Sequence, residues 1–262
     1  MATLSSISRH EHILTALKDR GRVSVVDLSD EMRVSSVTIR KDLELLERRG
    51  FLRRIRGGAV ASRSARFELT MNEASQSLIT EKEAIGLAAA AMVRDGQTIM
   101  VDAGSTNLAF ANALARGLQD VVLVTNSIDI AIALESHPGV STYLTGGHVR
   151  KSQRSLVAPF GNLLIERINA DVAFLSCAGV DAERGLTNSN WEETEVKLAM
   201  AESSSRAVYM ADQSKFGHVG SALIVSIENA GTLVTDSGAP TNLLRDFEAR
   251  GLEIVIAKLP DP

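Results

Sequence analysis

Hydrophobic and polar positions follow two different patterns along this chain of 262 residues. Before residue 50, apolar residues recur every three or four positions, which is the spacing of one face of a helix. Three such segments occur, with apolar positions at Ile13, Leu14 and Leu17, at Val25, Leu28 and Met32, and at Ile39, Leu43 and Leu46. Gly21 and Gly50 follow the first and third segments, where a glycine commonly ends a helix. The pattern predicts three short helices.

The third predicted helix begins with hydroxyls and two cations: Ser36, Thr38, Arg40 and Lys41. A helix N-terminus with small polar and basic side chains can enter the major groove of DNA and bond to base edges. At 100° per residue, Lys41 falls opposite the apolar stripe, with Thr38 and Arg40 on its flanks. The alternative is the solvated charged face of an ordinary helical bundle.

The segment after this helix, Phe51 to Val60, favours DNA binding over that alternative. Apolar residues alternate there with cations around a Gly-Gly pair, which predicts a short basic hairpin whose arginines are Arg53, Arg54 and Arg56. A basic hairpin after a helix-turn-helix is a wing, and its cations can lie against the phosphate backbone. We therefore predict a winged helix-turn-helix DNA-binding domain over residues 1–60.

The charge distribution supports this division. The whole chain carries a net charge of −4, but residues 1–60 hold twelve Lys or Arg against eight Asp or Glu, a net of +4, so the remainder carries −8. A basic end on an acidic body suits a phosphate-binding module attached to a domain that does not bind nucleic acid.

The run from Arg9 to Val60 resembles the DNA-binding domain of DeoR-type bacterial transcription regulators. The segments that carry the resemblance are Val37–Leu43 and Arg56–Ala59. The resemblance implies a winged helix-turn-helix in which Ser36, Thr38, Arg40 and Lys41 lie at or beside the positions that read the groove.

Residues 61–80 are polar and weakly patterned, and we interpret them as a linker to a second domain over 81–262. That domain begins with an Ala-rich helix, Lys82 to Met92, and continues as alternating strands and helices. The predicted strands are 98–101, 121–124, 142–144, 172–175, 207–210, 232–235 and 253–256, and the predicted helices are 108–114, 128–135, 156–168, 193–204 and 243–250. Such alternation indicates an α/β fold with a mostly parallel sheet and helices on both faces.

Ligands of such sheets bind beyond the carboxyl ends of the strands, and small polar residues follow several of the predicted strands. The run 102–107, Asp-Ala-Gly-Ser-Thr-Asn, opens a helix with amides and hydroxyls that can hold a phosphate. Taken singly, such a loop is more often a plain helix cap, a strand-end Asp a turn residue, and Lys215 a solvated lysine. Together they offer donors for a phosphate, polar groups for sugar hydroxyls and one cation.

These strand ends also resemble the effector domain of DeoR-type regulators, which is similar in fold to ribose-5-phosphate isomerase and binds phosphorylated sugars. The matching segments are 102–106, 124–126, 145–147, 178–181, 185–187 and 211–217. The resemblance implies that Gly104, Ser105 and Thr106 hold the phosphate, with Lys215 adjacent. It implies that the sugar contacts, or the residues that shape the site, are Asp102, Asn126, Gly146, Gly147, Asp181 and Glu193. Ala103 and Asn107 replace hydroxyl residues of the commonest pattern, so the resemblance does not identify the sugar.

The composition of the chain bears on disulfides, metal sites and membrane insertion. The single cysteine, Cys177, excludes an internal disulfide and argues against a thiolate zinc cluster, and it lies in an apolar run typical of a buried thiol. We expect no metal and no cofactor apart from the effector. The first ten residues lack the apolar core of a signal peptide, and no apolar run is long enough to span a membrane, so we expect a cytoplasmic protein.

The sequence thus predicts a transcriptional regulator without catalytic residues, a repressor of a sugar-catabolism operon. Its expected partners are double-stranded operator DNA, a phosphorylated sugar and further copies of itself. One alternative is a sugar-phosphate isomerase with an accessory DNA-binding domain, in which Asp102, Asp181, Glu193 and Lys215 supply acid and base. Another is a sugar-phosphate-binding scaffold whose helix-turn-helix contacts protein.

Overall fold

The structure is a computed structural model that describes residues 6–48, 52–61 and 70–259. The chain divides into two compact units, Met1–Glu68 and Leu69–Pro262. Each unit has a hydrophobic core of its own.

The N-terminal unit consists of three helices and a three-stranded antiparallel sheet. Its elements are α1 (Ser6–Arg20), β1 (Arg22–Ser24), α2 (Val25–Met32), α3 (Ser36–Arg48), β2 (Leu52–Ile55) and β3 (Gly58–Ala61). The strands lie in the order β1-β3-β2. Ile13, Leu28 and Ile39, one from each helix, are fully buried and form the centre of the core. This is the predicted winged helix-turn-helix.

The sheet of this unit depends on a close approach between β1 and β3. A Cβ atom at Gly58 would lie 2.0 Å from the carbonyl oxygen of Val23. Only glycine permits this separation, so Gly58 fixes where the wing hairpin meets β1. The short strand β1 was not predicted, because three residues between two helices carry too little pattern to be recognised.

The second unit alternates strands and helices along its length. Its helices are α4 (Met71–Ser75), α5 (Ile79–Ala90), α6 (Ser105–Ala113), α7 (Ile128–Ala133), α8 (Phe160–Ile165), α9 (Trp191–Glu202) and α10 (Thr241–Ala249). Its strands are β4 (Thr98–Val101), β5 (Val121–Thr125), β6 (Val140–Leu144), β7 (His148–Arg150), β8 (Ser155–Val157), β9 (Val172–Ser176), β10 (Gly179–Asp181), β11 (Gly185–Asn188), β12 (Ala207–Met210), β13 (Ala222–Val225), β14 (Thr232–Asp236) and β15 (Glu253–Ala257).

Seven of these strands form one parallel sheet in the order β15-β14-β12-β9-β4-β5-β6. Successive residues of β9 point to opposite faces, as a strand requires. Leu175 belongs to the core that also includes residues of α8, α9 and α10, whereas Phe174 belongs to the core that includes residues of α5, α6 and α7. Helices therefore cover both faces, which confirms the predicted fold class.

The structure corrects one predicted helix. Residues 156–168 were predicted as a single helix, but Ser155–Val157 form β8, which pairs with β7 in a hairpin, and α8 begins only at Phe160. An apolar run of this length is ambiguous between strand and helix, and Pro159 separates the two parts. The small antiparallel sheet β10-β11-β13 was also not predicted.

The stretch predicted as a linker, 61–80, contains β3's last residue, all of α4 and the first residues of α5. Residues 62–69 lie outside the described part of the chain. No helix among the described residues is long and apolar enough to cross a membrane.

Candidate functional site

The N-terminus of α3 carries the residues predicted to read DNA. Ser35, immediately before the helix, accepts a hydrogen bond through Oγ from the backbone N–H of Thr38 at 3.1 Å, and the two hydroxyls lie 2.8 Å apart. Ser35 therefore acts as the helix cap, a role that sequence reasoning did not assign to it. Arg40 and Lys41 are exposed, and Ser36 and Thr38 are partly exposed. All four are accessible to a partner.

A buried carboxylate fixes α3 against α1. Asp42 accepts hydrogen bonds from Arg9 Nε at 2.8 Å and Arg9 Nη2 at 3.1 Å, and His10 Nε2 lies 3.1 Å from Asp42 Oδ1. The hydrogen bond to Asp42 raises the pKa of Arg9. Because Asp42 directly follows Lys41, this contact sets the orientation of the exposed end of α3.

The wing is tied to the other end of the same helix. Glu47 Oε1 accepts a hydrogen bond from the backbone N–H of Arg54 at 2.7 Å. The side chains of Arg54 and Arg56 are exposed, and Gly57 adopts a φ of 82° in the turn between β2 and β3. The side chain of Arg53 lies outside the described part of the chain. The N-terminal unit therefore presents an exposed α3 terminus and exposed wing cations.

In the second unit, some of the predicted effector residues lie at the carboxyl edge of the sheet, where β4, β9 and α9 come together. Asp102, directly after β4, forms a buried ion pair with Lys197 of α9. Its Oδ1 atom accepts from the backbone N–H of Ser176 at 2.7 Å, and its Oδ2 atom accepts from Ser176 Oγ at 3.2 Å. Asn107 Nδ2 donates to both the carbonyl and the carboxylate of Asp102. Burial raises the pKa of Asp102, and the charge of Lys197 opposes that shift.

The N-terminus of α6 lies beside this ion pair and has no side-chain cap. Gly104 occupies the cap position, so no side-chain oxygen accepts from the first-turn amides within the described chain. A Cβ at Gly104 would lie 2.7 Å from Ser176 Oγ, so a larger residue here would require the Ser176 side chain to move. Ser105 is partly exposed and Thr106 is buried. Uncapped amides and the helix dipole are features that can favour an anion at such a terminus.

Asn126 links the loop after β4 to the hairpin β7–β8. Its Oδ1 atom accepts from the backbone N–H of Ala103 at 2.9 Å, and its Nδ2 atom donates to the carbonyl of Leu156 at 3.0 Å. The side chain is almost wholly buried. Asn126 therefore shapes the loop on which Gly104 and Ser105 lie.

Glu193 contributes a second buried ion pair at this edge. It pairs with Arg150 of β7, and its Oε1 atom accepts from Ser155 Oγ at 2.7 Å. Its charge raises the pKa of Asp102, so the two carboxylates share one neighbourhood. The importance of Lys197 and Arg150 was missed in the sequence. Lys197 follows Glu193 by four residues, and this spacing places both residues on one face of a helix. The spacing could have identified Lys197 as a second residue of the site.

The loop after β12 is organised by Asp212 and carries Lys215. Asp212 Oδ1 accepts from the backbone N–H of Ser214 at 3.0 Å, and Asp212 Oδ2 lies 4.0 Å from Lys215 Nζ. The pKa of Asp212 is lowered: burial alone would raise it, but the charges of Lys215 and Lys82 and the Ser214 hydrogen bonds outweigh burial. Lys215 keeps 29% of its side-chain surface exposed.

Cys177, directly after β9, is buried, and charged residues of several elements influence its thiol. Burial raises the pKa of its thiol to about 12, while Lys197 and Lys215 lower it and Asp212 and Asp102 raise it further. Charges from the ends of β4 and β12 and from α9 therefore act on one atom next to β9.

Three other predicted residues lie in turns. Asp181 Oδ1 accepts from the backbone N–H groups of Glu183 and Arg184, both at 2.9 Å, so this carboxylate closes the β10–β11 turn. Gly146 and Gly147 connect β6 to β7, and a Cβ at Gly147 would lie 2.2 Å from the carbonyl oxygen of Val157.

Several buried polar atoms of this unit have no hydrogen-bond partner in the described structure, including Asn107 Oδ1, Thr145 Oγ1 and Asp212 Oδ2. Buried polar groups are normally satisfied by protein, water or ligand. Among the described residues no group of three or more His, Cys, Asp or Glu side chains could hold a metal ion.

Comparison with known proteins agrees with both halves of this arrangement. A family model described as the DeoR-like helix-turn-helix domain matches residues 9–65, and the model of the DeoR C terminal sensor domain matches residues 77–237. The HTH-type transcriptional regulator GolR of Listeria innocua is 37% identical over 250 residues, 95% of this chain and 98% of that protein. The transcriptional repressor AccR of Agrobacterium fabrum is 33% identical over 238 residues, 90% of this chain and 92% of that protein.

Among solved structures, the chain is similar to ribose 5-phosphate isomerase from Plasmodium falciparum, with 20% identity, a TM-score of 0.36 and coverage of 52% of each chain.

Proposed function

The chain belongs to the DeoR family of DNA-binding transcriptional regulators, and on that premise we propose that it is a cytoplasmic repressor released from its operator by a phosphorylated sugar. The sugar phosphate binds at the carboxyl edge of the seven-stranded sheet. The genes that this repressor controls are those of a sugar-catabolism operon. One relative, AccR, is named a transcriptional repressor, which supports repression rather than activation.

The observation that carries this proposal is the uncapped N-terminus of α6 at the sheet's carboxyl edge. Gly104 leaves the amides of the first turn without a side-chain acceptor, and Ser105 adds an accessible hydroxyl. These donors suit the oxygens of a phosphate monoester. Lys215 supplies a partly exposed cation in a neighbouring loop, and a charge-assisted hydrogen bond from it strengthens phosphate binding.

The remaining groups at the edge suit sugar hydroxyls. Asp102 and Glu193 already hold their cations in buried ion pairs, so their environment is polar and close to neutral. Asn107 Oδ1 is a buried acceptor without a hydrogen-bond partner in the described chain. Hydroxyls donate to such acceptors without the desolvation cost of burying another charge.

The DNA-binding function requires more than one copy of the chain. Symmetric half-sites are read by paired recognition helices about 34–36 Å apart, so we propose that the repressor binds its operator as a homo-oligomer. The exposed residues Arg40 and Lys41 then read or flank base edges, and Arg54 and Arg56 contact phosphates. A coupling of about 1–3 kcal/mol between effector and DNA would lower operator affinity about 5–150-fold.

A thermal-shift screen followed by a DNA-shift titration tests the proposal. The screen compares phosphorylated aldoses and ketoses with the same sugars without phosphate and with inorganic phosphate alone. A specific ligand at 100 times its Kd adds about 2.7 kcal/mol to the free energy of unfolding. We expect one sugar phosphate both to stabilise the protein and to release operator DNA. If no phosphorylated sugar does either, the effector assignment fails.

The isomerase alternative would use the same residues, since the acids and the lysine needed for proton transfer are present at this edge. A similar fold does not establish an activity. The proposal is that the chain binds the sugar phosphate without converting it, and the support is that its relatives over nearly the whole length carry regulator names. Turnover of the stabilising ligand, followed by NMR, separates the two functions.

A further inference from the structure

The segment that enters the second unit from the connecting residues 62–69 is held by specific hydrogen bonds. Thr70 caps α4: its hydroxyl accepts from the N–H of Glu73 at 3.4 Å, and its own N–H donates to Glu73 Oε2 at 3.0 Å. Met71, the first residue of α4, is buried. These contacts fix the start of α4 within the second unit.

The backbone of α4 is bonded to the turn of the β7–β8 hairpin. The N–H of Met71 donates to the carbonyl of Ser152 at 2.8 Å. A helix leaves its first N–H groups without partners inside the helix, so this bond satisfies a donor that would otherwise need another acceptor. Any movement of the hairpin turn acts directly on α4.

The two strands of the same hairpin form part of the effector edge. Arg150 of β7 pairs with Glu193, and Ser155 of β8 donates to the same carboxylate. Asn126 binds the hairpin through two hydrogen bonds to the backbone of Leu156. Its carbonyl accepts from the N–H of Leu156 at 2.8 Å, and its side chain donates to the Leu156 carbonyl at 3.0 Å. The Asn126 side chain also accepts from Ala103, in the loop that begins α6.

A buried lysine connects the other end of α4 to this edge. Lys82 of α5 is 4% exposed, and its ammonium donates to the carbonyls of Ala74 at 2.5 Å and Ser77 at 2.7 Å. The charge of Lys82 also lowers the pKa of Asp212, at the end of β12. The start of α4 is thus bonded to the hairpin, and its end is bonded to the buried ammonium of Lys82.

From these contacts we propose that the β7–β8 hairpin transmits effector binding to α4, and through α4 to the segment that leads to the DNA-binding unit. This inference rests on the proposed function, because it assumes an effector at the sheet edge. Binding beside Glu193 and Asn126 shifts the hairpin, and the bond between Ser152 and Met71 carries the shift to α4. Met71 is thereby a positioning residue that does not touch the effector.

The substitution Met71→Pro tests the link because it removes the donor N–H together with the buried side chain. Proline is favoured at the first position of a helix, where its fixed φ fits. The preceding residue must be extended, and Thr70 already has φ −62° and ψ 156°. The matched control is Met71→Ala, which also loses the buried side chain but keeps the N–H. Circular dichroism verifies that both variants fold.

Three quantities are measured for the wild type and both variants: effector affinity by calorimetry, operator affinity without effector, and operator affinity with saturating effector. We expect Met71→Pro to bind effector and DNA within about twofold of Met71→Ala. We expect the effector-induced loss of DNA affinity, about 5–150-fold in a coupled regulator, to fall several-fold in the proline variant and to persist in the alanine variant. Equal release in the two variants would overturn the relay and leave the proposed function intact.

A second measurement on the unmodified protein covers the case in which the proline variant does not fold. Hydrogen exchange of the Met71 amide is compared in the presence and absence of the effector found by the thermal-shift screen. The relay requires its protection to change on effector binding, and unchanged protection at Met71 overturns it. If no sugar phosphate binds the wild type, the proposed function fails first and the relay with it.

Discussion

Asp102 at the end of β4 and Lys197 on α9 form an ion pair in which both side chains are at least 97% buried. The pair is also bonded to Ser176, whose hydroxyl accepts from Lys197 Nζ at 3.3 Å. Three elements of the second unit, which we call the sensor unit, are therefore joined through one carboxylate: β4, β9 and α9. The pair keeps the ammonium of Lys197 engaged with Asp102 and Ser176.

Removing one partner of this pair leaves the other charge buried. We expect Asp102→Asn and Lys197→Met each to lower the free energy of unfolding by about 3–5 kcal/mol, measured by urea denaturation at pH 7.5. The double variant should lose much less than the sum of the single losses, because it leaves no unpaired charge. Additive losses would show that the two residues do not interact.

The Lys197→Met variant should also show a distinctive pH dependence. Burial raises the pKa of Asp102 above its unfolded value of 3.8, and the variant removes the cation that opposes that shift. A carboxyl with a raised folded pKa contributes stability at low pH that is lost as the pH rises through that pKa. The loss of unfolding free energy in the variant, relative to the wild type, should therefore become smaller as the pH is lowered from 8 to 5. A deficit independent of pH would contradict this account.

The exposed cations of the N-terminal unit should carry operator affinity. Arg40→Ala and Lys41→Ala should each weaken operator binding, by about 1–3 kcal/mol where the side chain contacts a base edge. A DNA-shift assay checks this, with Arg116→Ala as a control that removes an exposed cation from the sensor unit. Wild-type affinity in the Arg40/Lys41 double variant would contradict the assignment of α3.

The wing should act on all DNA sequences alike. Arg54 is exposed on β2, and its replacement by alanine removes a cation placed to meet a phosphate. We expect Arg54→Ala to weaken operator and random DNA equally and to reduce the slope of log K against log[salt] by about one. A loss confined to the operator would assign Arg54 to base reading instead.

The phosphate loop should be separable from DNA binding. Ser105→Asp places a carboxylate where the phosphate is proposed to lie, and Lys215→Ala removes the nearby cation. Both variants should bind operator DNA normally but need more effector to release it, because like charges repel in a partly desolvated site and a charge-assisted bond is lost. Ser105→Ala serves as the uncharged control. Release at the wild-type effector concentration in both variants would reduce the loop to an ordinary helix terminus.

The thiol of Cys177 should be inert in the native protein. It is buried, and its pKa of about 12 leaves about one thiol in ten thousand ionised at pH 8. Alkylation by iodoacetamide at pH 8 should be undetectable over the period in which the protein unfolded in guanidinium reacts completely. Fast labelling of the native form would contradict the burial of this residue.

The sequence predicted the seven parallel strands within two residues at each end, because apolar strands alternating with helices are a strong and redundant pattern. It also predicted that Asp102 and Asn126 would lie at the same sheet edge. It did not predict Lys197 or Arg150, since each gains its role only from a carboxylate distant along the chain. The resemblance implied that Asp181 contacts the sugar or shapes the site, and in the structure its carboxylate accepts from two amides of its own turn, a local contact that the sequence pattern did not indicate.

The long sequence separation within the buried pair has a consequence for synthesis on the ribosome. Asp102 leaves the ribosome 95 residues before Lys197 does. At about 5–20 residues per second, the carboxylate waits about 5–20 s for its cation. During that interval β4 and β5 can pair, but burial of the Asp102 carboxylate without its cation is unfavourable, so it stays hydrated. The nascent sensor unit should therefore keep its carboxyl edge open until α9 has emerged, and close it only then.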